Sequence, residues 1–594
     1  MRIIYSVLLA LIYSNCMAET YYVSTTGSDS NNGLSVDTPF LTITKAVQLS
    51  ALAPGDTIRV LAGEYKSIRI SITKDGTEAS PITLMAHGDG EVKLNFGYQP
   101  STGWALHSGN VYKITVPITT YYVYNVVIDN DPKYRRKASL GAVVAPYDFY
   151  QDQATDVLYV YPSNGSDPTG KESVFIGSNE YWYGLFFNLA NHWVVDGLTI
   201  VGSEGHAITI DADNVTVKNC TMRWNAKNAV YYWSSLGAGT RHDKAMVDNV
   251  LSEWNMMRNW PRCSPGFTSG LWGQGISITN TNNATVKNST VRNGGGEGIG
   301  FVKVNPGLME NNDSYNNWSV GLYSDESQNI TIRNNDVYVS SDHVNVSDID
   351  GALSDQTTID RCVQRLRQEG VTVGDEYYSD TSSATSTDVQ IYNNVISNTS
   401  YGFNYITENV TSPGMKNITF SNNTVVLPDS TGPRGDYSAI NIRDYEGNIN
   451  TVFKNNIFYA SYATSSLIYT GYGLTTEPRN VSMTNNVWYH SGRNDPFYYT
   501  GEYRTYSNFS SSYPDQATSS LYVDPSFLAQ ETSDYHLSST SQAIGHGTAT
   551  TPLTDKDGVA WSSPPSAGAY EYTDGSTPSP SGTRYRYKAI ASQE

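Results

Sequence analysis

The sequence predicts an all-β solenoid, a parallel β-helix, and three observations carry the prediction. Between Ala207 and Ile440 one phrase returns: a small residue, an alternating apolar pair, a turn, a second apolar strand and an Asn, as in GHAITIDADNVTVKN, GQGISITNTNNATVKN, GEGIGFVKVNPGLMENN and SVGLYSDESQNITIRNN. The step is 22 residues from Ala207 to Ala229 and 23 from Gly275 to Gly298 and from Gly298 to Gly321. That is too short for helix pairs and suits one coil of three short strands. Apolar residues alternate within each copy, as in Ile208/Ile210, Ile276/Ile278 and Val215/Val217, which is a strand period.

Stacked coils place equivalent side chains above one another at about 4.8 Å. Asn219, Asn249, Asn288, Asn311, Asn334, Asn393, Asn422, Asn455 and Asn485 share one phase and read as an internal asparagine ladder at a corner, each amide bonding its neighbours and the turn backbone. The ladder also explains the many N-x-S/T matches without invoking glycans.

The elements follow in order. Residues 1–18 carry one Arg, an apolar run from Ile3 to Tyr13 and a small residue at Ala18, the pattern of a cleaved secretory signal, too short to span a bilayer. Secretion or a periplasmic location is expected, with no membrane span elsewhere. Residues 19–66 give strand, turn, a short amphipathic stretch from Ile43 to Leu49 and a second strand, expected as an N-terminal helical cap over the first coil, residues 67–97. Residues 98–172 lose the coil period and read as a small inserted β-sandwich. Coils resume over 173–510, interrupted at 254–273 and 340–368. Residues 511–572 close the solenoid, and 573–594 form a Ser/Pro/Gly-rich disordered tail.

The segment YYVSTTGSDSNNGLSVDTPFLTITKAVQLSALAPGDTIRVLAGEY resembles the entry of the right-handed β-helix, pectin-lyase-like superfamily, and LYVDPSFLAQETSDYHL through AGAYEY is similar to the exit of bacterial members. The resemblance implies the fold over most of residues 20–572 and a carbohydrate-active role. The insertion ITVPITTYYVYNVVIDN to YDFYQDQATDVLYVYPSNGSDPTG resembles the element inserted in lacto-N-biosidase-type and β-xylosidase-type enzymes. It carries no catalytic residue with it.

Charge narrows the partners. With 38 Lys and Arg against 57 Asp and Glu, the net charge is −19, which repels nucleic acid and anionic membranes. The 45 Tyr suit stacking on sugars as well as ordinary strand surfaces. Past the signal three cysteines remain: Cys220 inside a regular coil, expected as a buried filler, and Cys263 and Cys362 in the two interruptions, a candidate disulfide.

Aligning the coils makes columns readable. Ile208, Val230, Ile276, Ile299, Leu322, Val371, Phe403 and Ile440 are expected inward, so Thr209, Tyr231, Ser277, Gly300, Tyr323, Thr372, Asn404 and Asn441 face out, as do Asp211, Trp233, Thr279, Val302, Asp325, Gly374, Ile406 and Arg443 two residues on. The Gly/Ala column is expected to leave a trough along this face, walled by the two interruptions. A glycosidase needs one protonated and one ionised carboxyl, about 5–5.5 Å apart for retention and about 6.5–9.5 Å for inversion. Glu297 and Asp325 are the leading pair, with Glu326 and Glu369 as substitutes. His206, Tyr231, Trp233, Gln274, Tyr323 and Arg443 are the expected substrate-binding residues.

Two other chemistries stay open. The phrase GEGIGFVKV resembles the Gly-rich, Lys-bearing coil of certain pectate lyases, which implies Lys303 as the base of a β-elimination assisted by Ca²⁺. Asp348, Asp350 and Asp355 in DIDGALSD are oxygen-rich, yet a plain turn explains them better and no metal ligand is assigned. Hydrolysis requires no cofactor. The third reading is a non-catalytic surface or adhesion protein. The expected partner throughout is an extracellular glycan or polysaccharide.

Overall fold

The computed structural model describes residues 18–67, 69–100, 103–116, 122–178, 183–236, 240–259, 273–340, 368–376, 386–407, 416–429, 437–442, 449–471, 480–549 and 552–574. Three sheets of thirteen strands each wind around one core, and every coil visits them in turn: Val215–Lys218 in the first, Thr221–Arg223 in the second, Val230–Tyr232 in the third. Pairing is parallel except for a terminal hairpin of Phe497–Tyr499 with Glu502–Arg504. No described helix is long and apolar enough to cross a membrane. The signal segment lies outside the described residues.

The inward column is as expected. Ile208, Val230, Ile276, Ile299, Leu322, Val371, Phe403 and Ile440 stand in register and are fully buried, a continuous apolar stack whose removal from water is the main stabilising term.

The asparagine ladder is one residue away from its expected place. The nine phased residues all sit at the corner between the first and second sheets with φ between 52° and 58°, a left-handed conformation that Asn adopts more readily than other non-Gly residues. The internal ladder is the following residue. In Asn312, Asn335, Asn394, Asn423, Asn456 and Asn486 each amide oxygen accepts from the backbone N–H of the preceding member, or for Asn312 of Ser289. Cys220 occupies this column three coils before Asn312, fully buried, with Sγ 3.1 Å from the Lys218 carbonyl.

The small column also corrects the expectation. A Cβ on Gly298 would lie 2.2 Å from Ser314 Oγ, and one on Gly321 2.3 Å from Val337 Cγ1. These positions therefore point into the coil and let the third sheet approach the second; they open no trough outside.

The expected helical cap is not present as such. The N-terminal end has one five-residue helix, Ile43–Val47, capped by Thr42. At the other end helix Tyr506–Ser512 lays Phe509 on Phe497, ring centroids 4.7 Å apart. The chain then returns along the solenoid: Asn485 donates to His546 O, Asn455 to Thr548 O and Asn393 to Thr554 O, and Lys556 donates to Asn334 O.

The inserted element has five strands, Ala105–Ser108, Val111–Thr115, Arg135–Arg136, Asp148–Asp152 and Val157–Val160, facing the pair Tyr122–Ile128 and Ser173–Ser178 across a core of Ile114, Val126, Phe149 and Phe175. It thus extends six residues past its expected boundary. The basic run is turned inward, Arg135 and Lys137 both pairing with buried Asp148 at 3.2 and 3.3 Å. On its other face Val127, Val174 and Ile176 pack on Trp224, Met257 and Trp318, at the corner where the chain enters the third sheet.

Candidate functional site

The third sheet positions the site. Tyr231, Ser277, Gly300, Tyr323, Thr372, Asn404 and Asn441 lie level across seven strands on its outer face. Gln274 and Glu297 stand level with each other at the start of their strands. Glu369 holds the same level two strands beyond Glu297, past Val320. Asp325 is level with Val302 and Gly374. It is therefore five residues along from Glu297, a backbone separation of about 17 Å at strand spacing, not the side-by-side placement expected for the leading pair.

Side-chain lean narrows these gaps. Gln274 reaches along the sheet until its Nε2 lies 2.9 Å from where Gly300 would carry a Cβ, and there it donates to Glu297 Oε2 over 2.8 Å. Only the missing side chain at Gly300 makes room for it. Glu369 leans the same way: Oε2 accepts from Asn404 Nδ2 at 2.7 Å and from Thr372 Oγ1 at 3.3 Å. Both carboxyls thus come to flank the level of Tyr323 from opposite sides. Beyond it Gly374 lies under two groups at once, since a Cβ there would be 2.5 Å from the Tyr323 hydroxyl and 2.9 Å from Asp325 Oδ1.

The acids differ in electrostatics. Asp325 Oδ1 accepts from the backbone N–H of Glu376 at 3.0 Å, while Oδ2 is buried without a hydrogen-bond partner among the described residues. Burial, opposed by that one bond and reinforced by the nearby charges of Glu376, Glu326 and Asp375, holds its carboxyl well above the usual range. Asp375 itself accepts from Ser386 N and Tyr405 Oη. Glu326, at φ 45° on the corner, pairs through Oε2 with Lys303 Nζ at 3.2 Å. This site is enclosed, not open: Glu297 is 7 % exposed, Tyr323 4 % and Asp325 0 %.

The expected aromatic contacts stand on the N-terminal side. His206 stacks on Tyr231 with centroids 4.4 Å apart and planes at 19°, and burial, then the charge of Lys227, pushes its imidazole down to about 3. Trp233 follows the inward Tyr232 and returns to the face of Tyr231, its backbone N–H bonded to Ile210 O. Arg443, Cys263, Cys362, Asp348, Asp350 and Asp355 lie outside the described residues, as do 260–272 and 341–367 of the two interruptions. Among the described residues no group of three or more His, Cys, Asp or Glu side chains is arranged to hold a metal ion. The column alignment named Thr372, Asn404 and Asn441 as outward residues but gave them no role. The packing of the inserted element on Trp224, Met257 and Trp318 was not foreseen, because nothing in a local period tells where an insertion docks.

Residues 268–363 match the family described as right handed beta helix region, and residues 42–97 match chondroitinase B. A search of curated proteins finds no matching sequence. Among solved structures the chain is similar to the complex structure of XylC with xylose, at 12% identity over 93% of this chain and 98% of that one, TM-score 0.55. It is also similar to pectate lyase Pel9A, at 15% identity over 93% and 96% with TM-score 0.42, and to PfbA, a surface adhesin of Streptococcus pneumoniae, at 12% identity over 75% and 85% with TM-score 0.42. At these identities the likeness is one of fold.

Proposed function

The chain is a right-handed parallel β-helix of the pectin-lyase-like kind, and on that premise we propose that it hydrolyses glycosidic bonds of an extracellular glycan on the outer face of its third sheet. Asp325 gives the proton to the leaving oxygen, and Glu369 activates water. Glu297, held by Gln274 on the far side of Tyr323, orients the sugar.

One observation carries this reading: two carboxyls in contrasting settings converge on Tyr323. Asp325 is buried, which pushes its carboxyl well above the usual range, whereas Glu369 accepts two hydrogen bonds on Oε2. Thr372, beside which the Glu369 carboxylate rests, is one strand and two residues from Asp325, a backbone separation of about 8 Å at strand spacing. A separation of that order suits the inverting arrangement, with carboxyls about 6.5–9.5 Å apart, better than the retaining one at about 5–5.5 Å. Lys303 does not suit the base of the alternative elimination, because its Nζ is engaged by Glu326 at 3.2 Å.

The test is a panel of glycans assayed both for reducing ends and for absorbance of unsaturated uronates. Reducing ends of inverted configuration without absorbance are expected, with Asp325→Asn and Glu369→Gln each slowing the rate by about 10²–10⁴-fold. Unsaturated products, or a Glu369→Gln variant at the wild-type rate, would overturn the reading.

A further inference from the structure

The third sheet changes character on either side of Tyr323. Toward the C-terminal coils the outer face is polar and buried at Thr372, Asn404 and Asn441: Asn441 donates to Asn404 and Asn404 to Glu369, while Asn441 Oδ1 and Ser438 Oγ have no hydrogen-bond partner among the described residues. Toward the N-terminal coils the outer face is aromatic and only half-buried: Phe186, Tyr231 and Trp233, with Tyr183 and His206 at the strand starts. Tyr183 is level with His206, and Phe186 with Thr209 and Tyr231. The rings meet in pairs, Tyr183 with Phe186 at 4.4 Å and His206 with Tyr231 at 4.4 Å.

Three polar atoms on this stretch are buried with no hydrogen-bond partner among the described residues: Thr209 Oγ1, His206 Nδ1 and Trp233 Nε1. Such atoms are expensive to leave unsatisfied, and a cluster of them beside apolar rings is what a ligand rich in hydroxyls would repair. The imidazole among them is uncharged, so it offers a hydrogen bond without demanding a counter-charge.

We infer that Tyr183, Phe186, His206, Thr209, Tyr231 and Trp233 form a one-sided row of subsites for the uncharged sugar residues of a glycan whose end reaches Tyr323. The inference rests on the carbohydrate reading above and adds a direction to it: the glycan lies along the solenoid axis, runs toward the N-terminal coils and is trimmed from the end held at the acids. From Tyr231 to Phe186 the row spans two strand steps, about 10 Å, and from Gly300 to Phe186 four, about 19 Å, so several sugar units fit.

The test uses full-length Asp325→Asn protein titrated calorimetrically with neutral xylo- and cello-oligosaccharides of two to six units and with oligogalacturonates of the same lengths. Affinity for at least one neutral series is expected to rise several-fold with each added unit up to a limit. Phe186→Ala and Tyr183→Ala should erase the gain from the longer members and spare the shortest. Trp233→Phe, which removes only the indole N–H, should cost about three- to ten-fold, with melting temperature monitored in every variant. Length-independent affinity, equal weakening at all lengths by Phe186→Ala, tighter binding of the charged series, or no neutral binding would each overturn the inference. Length-dependent binding by a wild-type protein that cleaves nothing would refute the catalytic reading and leave the subsites standing; cleavage with length-independent affinity would do the reverse.

Discussion

The amide of Asn404 donates to Glu369 Oε2 over 2.7 Å, and Asn441 in turn donates to Asn404 Oδ1 over 2.8 Å. This short amide chain ends on the carboxylate assigned to water activation. Hydrogen bonds to charged groups are worth about 1.5–3 kcal/mol, so Asn404→Ala is expected to lower kcat by about 10- to 150-fold. Asn441→Ala, acting only through Asn404, should lower it less. Steady-state kinetics of the two variants and of the double variant check the order, since residues acting in series are non-additive.

Gly374 is a steric requirement. Its φ is not in the left-handed region, so Gly374→Ala introduces no backbone strain and acts only through its new Cβ, 2.5 Å from the Tyr323 hydroxyl. Overpacking of this kind costs about 1–3 kcal/mol. Activity is expected to fall far more than stability, because the methyl displaces Tyr323 and Asp325 together. Comparing kcat with the urea midpoint separates the two effects.

Asp325 makes the protein less stable as pH rises. Its folded carboxyl holds the proton above the pH at which the unfolded one releases it, so between those two values the native state binds more protons and stability declines with increasing pH. Asp325→Asn removes this liability and should raise the melting temperature relative to wild type at neutral pH, with the difference vanishing in acid. Asp555, pushed up to about 6 by burial, acts in the same direction between about pH 4 and 6, and Asp555→Asn should flatten the pH–stability curve there. Melting scans from pH 3 to 9 test both.

The two asparagine columns at the corners should respond differently to substitution. Asn288 needs its left-handed φ of 52°, so Asn288→Gly is expected to cost under about 1 kcal/mol and Asn288→Val more, from strain of about 1–2 kcal/mol at the β-branched residue. Asn335 makes four hydrogen bonds within the buried ladder, and Asn335→Leu should cost at least about 3 kcal/mol by leaving backbone groups unpaired. Urea titrations followed by tryptophan fluorescence rank them.

Much of the fold was legible in the sequence because side-chain period is a local property: alternation placed Ile299 and Leu322 inside and Tyr323 outside. The ladder was misplaced by one residue since an Asn-Asn pair looks alike from either member, and only φ tells the turning residue from the buried one. The trough failed for a related reason: glycine reads the same whether it faces out, as Gly300 does, or in, as Gly298 does. The candidate acids were found, but their grouping was not. Register fixes backbones, whereas the convergence of Glu297 and Glu369 on Tyr323 depends on the lean of long side chains toward Gln274, Thr372 and Asn404.

The returning C-terminal segment changes how this solenoid should come apart. Coils that touch only their neighbours can peel away one at a time from a free end. Here the returning residues 546–549 and 552–556 are bonded to the coils of Asn485, Asn455, Asn393 and Asn334. Loss of the last coil therefore loosens coils well inside the array, and the C-terminal half, which carries Glu369 and Asn404, is bound into one cooperative unfolding unit.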